Sequence, residues 1–184
     1  MVDAEEKIQD QKIKENPGDI AQKAFDLGFE YEGKYGACSQ CTILAVMDAR
    51  GKRDPQTFKA AFGFAGGIGS LSETCGALSA GIMAISLEHG RALENLTTQT
   101  EEERRECMQM VRDLYARYVD HYGTTKCAEV HKQIFGRAFN QWDKEEFDEF
   151  LRLGGHVDKC TNVVGNVARW TVEILEENQT SEGG

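Results

Sequence analysis

Apolar positions along this chain recur at three- and four-residue intervals, and no stretch alternates apolar with polar side chains. That period predicts helices, with no strand, no Asn-Gly hairpin and no repeat of fixed length. Pro17-Gly18-Asp19 marks a helix start with Asp19 as N-cap, and Ile20, Ala24, Leu27 and Tyr31 share the face that follows. Gly33 and Gly36 break that segment. The next one carries Ile43, Leu44, Val46 and Met47 between Cys38 and Gly51. Asp54-Pro55 opens a short helix with Phe58, Ala61, Phe62 and Ala65, ending at Gly66-Gly67. Leu78, Ile82, Met83, Ile85 and Leu87 then space a helix that stops near Gly90.

Thr100-x-x-Glu103 and Asp143-x-x-Glu146 read as capping boxes. The first opens a long amphipathic helix with Cys107, Met110, Val111, Leu114 and Tyr118 on one stripe, closed by Gly123. The second precedes Phe147, Phe150 and Leu151. Between them Cys127, Val130, Ile134 and Phe135 space a short helix, and a last stripe runs from Cys160 through Val163, Val164, Val167, Ala168, Thr171, Ile174 and Leu175. The pattern predicts an all-α fold, a single-domain helical bundle of about seven helices with glycine-rich interhelical loops. Residues 1–16 read as a polar N-terminal extension, 17–176 as the helical domain and 177–184 as a disordered tail.

A chain of 184 residues, 40% hydrophobic and 28% charged, can bury one sizeable core without staples. Its net charge of −10 repels phosphate backbones and no basic stripe offsets it, which argues against nucleic acid as a partner. Charged residues interrupt every apolar run, so no membrane span is expected. The acidic amino terminus is not of secretory type. These features predict a cytoplasmic protein.

Six cysteines at 38, 41, 75, 107, 127 and 160 change the picture most. In a reducing compartment metal binding or thiol chemistry is a better default than disulfides. Cys38 and Cys41 form a C-x-x-C at a helix start, where unpaired N–H groups favour thiolates. Thr42 stands where a c-type haem site needs histidine, so covalent haem is not expected. Cys75, Cys127 and Cys160 each open a helix on its apolar stripe. Buried free cysteine is common, yet three at equivalent helix starts favour a shared site. Cys107 lies inside a long helix and reads as core. Histidines 89, 121, 131 and 156 are scattered at polar boundaries. His131, four residues beyond Cys127, could line the same site, but its position favours a role outside it. The glycine loop is neither a P-loop nor a dinucleotide fingerprint, since Gly66-Gly67-Ile68-Gly69 lacks the following Lys-Ser/Thr and Ser72 spoils the glycine pattern.

The order and flanks of these cysteines resemble the redox-active protein family named for the pattern C-GCAxxG-C-C. The resemblance rests on Cys38-Ser-Gln-Cys-Thr-Ile-Leu, on Ala65-Gly-Gly-Ile-Gly leading to Thr74-Cys-Gly-Ala-Leu-Ser-Ala-Gly, and on Lys126-Cys-Ala-Glu-Val. It continues through Gly136-Arg-Ala-Phe and Lys159-Cys-Thr-Asn-Val-Val-Gly, and spans residues from about 20 to 175. One departure is the order Thr74-Cys75-Gly76-Ala77, where the family name spells Gly-Cys-Ala. The family is similar to the non-haem part of split-Soret cytochrome c, a dimeric protein with an iron–sulfur centre. The resemblance implies a cysteine-ligated iron–sulfur centre held by Cys38, Cys75, Cys127 and Cys160, with Cys41 as an additional thiol or reserve ligand.

Three functions follow as expectations. The first is electron transfer or redox sensing through an iron–sulfur cluster, with a redox partner protein. The second is thiol–disulfide exchange at Cys38 and Cys41. The third is a structural zinc protein or a partner-binding bundle. Tyr118, Trp142 and Trp170 read as core aromatics ahead of a homodimer surface, and a homodimer stays open.

Overall fold

A computed structural model describes residues 16–179. The expected extension over 1–16 and the end of the expected tail therefore lie largely outside the described residues. Within them are eight α-helices and no strand, apart from one isolated antiparallel bridge between Thr74 and Lys126. The helices are α1 (Pro17–Tyr35), α2 (Cys38–Arg50), α3 (Pro55–Ala61), α4 (Gly76–His89), α5 (Glu101–Tyr122), α6 (Cys127–Phe135), α7 (Lys144–Arg152) and α8 (Cys160–Gln179). The count is one above the expected seven. The last helix continues three residues past 176.

Local chemistry explains the boundaries. Proline is favoured at the first helical position, so the cap of α1 falls on the residue before it: the Asn16 side chain accepts from the Gly18 N–H, and Asp19 lies inside the first turn. Gly33 is carried within α1, and Gly36, at φ 64°, ends it. Asp54 caps α3, and the Thr100 box forms in full, each partner binding the other's backbone N–H. The second box closes only halfway. Asp143 accepts from the Glu146 N–H, but the Glu146 carboxylate turns to the Asn140 N–H and to Arg137.

Helix α8 is the axis of the bundle, and α1, α2, α4 and α5 all pack on it. Its buried face, Val164, Val167, Ala168, Val172 and Leu175, meets Ile43, Leu78, Ile85 and Leu114 in one continuous core. The closest approach is between α1 and α8. A Cβ placed on Gly28 would stand 3.2 Å from the Gly165 Cα, and one on Gly165 would stand 2.9 Å from Phe25. Two glycines facing each other let the helices close, and this sets the next turn of α1, with Glu32, against the start of α8. At the opposite end of α2, the almost fully buried Arg50 holds Glu88 of α4 at 2.9 Å and also pairs with Glu176 of α8. No helix among the described residues is long and apolar enough to cross a membrane.

Candidate metal centre

Four cysteines occupy four helix starts. Cys38, Cys127 and Cys160 are the first residues of α2, α6 and α8, and Cys75 is the N-cap of α4. The helices divide by how they begin. Asn16, Asp54, Thr100 and Asp143 cap α1, α3, α5 and α7 with side-chain oxygens. No side-chain hydrogen bond caps α2, α4 or α6, and α8 continues out of a π-helical turn, Gly155–Lys159. A helix start without an oxygen cap leaves its positive end for another anion. The four thiols line one cavity of about 320 Å³. That is roughly twice the volume of an apolar protein cavity that holds benzene.

The glycine-rich loop builds one wall. Five consecutive residues, Gly66 to Ser70, take positive φ, between 58° and 74°. Glycine tolerates this, whereas Ile68 is strained there and is held by its N–H donating to the Phe64 carbonyl at 3.1 Å. The loop then locks two cysteines together: the Cys75 N–H donates to Thr125 O at 2.8 Å, and the Cys127 N–H donates to Glu73 O at 2.6 Å. Beside it, Gly76 has no room for a side chain. A Cβ there would stand 2.5 Å from Phe64 O and 2.8 Å from Cys38 Sγ. The departure in residue order thus places glycine where the Cys38 sulfur crosses the start of α4.

The same cavity is lined by Glu32, His131 and His156. His131 is buried, and its Nε2 lies 3.7 Å from both Cys127 Sγ and Cys160 Sγ. Burial pulls its pKa down to about 4, so the ring is neutral. The Phe135, Phe139 and Phe150 rings surround it at 5.4, 5.8 and 5.4 Å. Glu32 is 2% exposed. One carboxyl oxygen stands 3.5 Å from His156 Nε2 and the other has no hydrogen-bond partner. Burial pushes its pKa up to about 8. Glu32 was not legible as a site residue, because its stripe reads Ala21, Ala24, Gly28, Glu32 and only the first three look like helix-packing residues. The i+4 step from Cys127 pointed only weakly to His131, which nonetheless lines the cavity.

Burial raises all four thiols. Glu32 and the neighbouring thiols raise Cys38 and Cys160 further, and Cys75 and Glu32 do so for Cys127. For Cys75 the Tyr118 hydroxyl and the N–H groups of Leu78 and Ala77 pull the other way. Among the described residues no Lys or Arg lines the cavity. Ionising all four thiols would place negative charge in apolar surroundings, which is costly without a cation beside it. Among the described residues no group of three or more His, Cys, Asp or Glu side chains is placed to hold a metal ion. By ligand chemistry alone, four sulfur donors suit zinc or an iron–sulfur cluster.

Cys41 is not part of this arrangement. It donates to the Gly36 carbonyl at 2.7 Å and lines a separate cavity with Tyr31, Tyr35, Phe58 and Phe62. Its thiol also lies close to the Glu32 carboxyl, and burial raises it. All six cysteines are free, and Cys107 is core, as its stripe predicted. Tyr118 is also core, whereas Trp142 at the cavity mouth is 83% exposed.

Fold and site together define a class: all-α proteins with thiols from separate helix starts around a shared cavity. Residues 36–174 match the model of the family described as "Putative redox-active protein (C_GCAxxG_C_C)", and the chain belongs to that family. No curated protein and no solved structure matches the chain.

Proposed function

We propose that this redox-active protein carries a cysteine-ligated iron–sulfur centre in the four-thiol cavity, for electron transfer or redox sensing. The observation that carries the proposal is that Cys38, Cys75, Cys127 and Cys160, far apart in sequence, line one cavity from four helix starts. Such a centre supplies one-electron exchange with a redox partner protein. The four thiols would hold it, the helix N-termini would offset its negative charge, and the Phe150 and Val164 walls would limit water. Cys41 faces elsewhere and is left out of the ligand set. Thiol–disulfide exchange is less well supported, because Cys38 and Cys41 line different cavities.

Anaerobic purification followed by iron and acid-labile sulfide analysis tests the proposal. Iron and sulfide present together support it. Stoichiometric zinc, or a reversible two-thiol oxidation without iron, contradicts it.

A further inference from the structure

His131 does more than fill the wall of the cavity. Its Nε2 is equidistant, at 3.7 Å, from the sulfurs of Cys127 and Cys160, which open two different helices. The ring cannot swing away: it is 1% exposed and stacks on Phe150 at an interplanar angle of 27°, with Phe135 and Phe139 edge-on. Its Nδ1 is buried without a partner. A neutral imidazole carries one N–H, so only one ring nitrogen can donate. Placing the proton on Nδ1 would orphan a buried donor and turn a bare lone pair toward two electron-rich sulfurs. Placing it on Nε2 pairs the donor and leaves only an acceptor unmatched, the smaller loss. Direct nitrogen ligation is the alternative, and the strength of the nitrogen coupling separates it from a donated hydrogen bond.

We infer that His131 is a positioning residue of the redox centre, its Nε2–H donating to the sulfurs of both Cys127 and Cys160. The inference rests on the cavity holding a thiolate-ligated centre. Reduction adds negative charge to such a centre, and part of that charge appears on the sulfurs. A donor aimed at two of them stabilises the reduced state and raises the midpoint potential. The same hydrogen bonds tie the start of α6 to the start of α8.

The test is the midpoint potential of anaerobically purified wild type, His131→Phe and His131→Gln, titrated against an electrode with small-molecule mediators. Pulsed electron paramagnetic resonance of the ¹⁵N-histidine-labelled wild type accompanies it. His131→Phe keeps a ring in the aromatic cage and is expected to shift the potential downward. His131→Gln restores a side-chain N–H and is expected to recover part of that shift. The wild type should show a weak nitrogen coupling, that of a hydrogen-bonded ring. An unchanged potential in iron-loaded His131→Phe overturns the inference, and so does a strong coupling from directly bonded nitrogen. If His131→Phe fails to fold, His131→Gln with the nitrogen coupling decides: a wild-type spectrum with no nitrogen coupling rejects the donor. Wild type without iron rejects the centre itself and the inference with it, an outcome distinct from iron bound but potential unmoved.

Discussion

The Cys38 sulfur passes so close to Gly76 that a methyl group on that residue would stand 2.8 Å from it. One glycine therefore decides whether the first thiol of the cavity can reach the second, since Cys75 is its chain neighbour. Gly76→Ala is expected to displace Cys38 and press on the Phe64 carbonyl. Overpacking of this kind costs roughly 1–3 kcal/mol. Urea denaturation and iron content should both register it, with iron lost even under conditions where the helices persist by circular dichroism.

The cysteines should separate into two groups. Serine at 38, 75, 127 or 160 removes a thiol from the shared cavity, and each change is expected to abolish or strongly reduce iron incorporation. Serine at 41 or 107 leaves the cavity walls intact, because these thiols face Gly36 O and the core. Iron per chain after anaerobic purification distinguishes the groups.

Glu32 has a folded pKa of about 8 against an ordinary value of 4.5, through burial. In the metal-free protein its contribution is present in full below pH 4.5 and is lost as pH rises toward 8. Burial lowers His131 and His156 from 6.5, which favours the opposite trend below pH 6.5, so the useful quantity is a difference. Glu32→Gln should match wild type at pH 4 and become the more stable protein toward pH 8. The gap should grow by about 1.4 kcal/mol per pH unit across that window. Urea denaturation at a series of pH values measures it, and a gap that stays flat from pH 4 to 8 contradicts the buried-carboxyl assignment.

Arg50 tests the far end of the bundle. Its side chain is 4% exposed and ties α2 to α4 and α8 through Glu88 and Glu176. Arg50→Ala strands Glu176 and leaves Glu88 with Lys52 alone, and is expected to cost roughly 1–3 kcal/mol in denaturation experiments. Iron content of the folded fraction should be unchanged, because the network is remote from the thiols.

Most of the helical frame was legible because its signals are local. Proline after Asp54, the Thr100 box, and Gly51, Gly90, Gly123 and Gly136 each act within one turn and need no tertiary partner. Asp19 was misplaced by three residues as a cap because proline at the first position outweighs an acidic residue behind it. The site was legible only in part. Cysteines announce themselves by residue type, whereas the spacing of His131 from Cys127 was only a weak signal, outweighed by its polar flanks. Glu32 sits on a stripe of small residues whose meaning depends on Gly165, well over a hundred residues away in sequence. Whether Cys41 shares a cavity with Cys38 also depends on how α2 is rotated against α1. That rotation is tertiary, and a C-x-x-C spacing does not encode it.

The most direct measurement is electron paramagnetic resonance of the protein purified without air and then reduced, together with iron and acid-labile sulfide per chain. A four-thiol iron–sulfur centre predicts coloured protein, iron and sulfide in comparable amounts, and a reduced-state signal that disappears in the Cys75→Ser variant. Colourless protein with neither iron nor sulfide, prepared under the same anaerobic conditions, would contradict it.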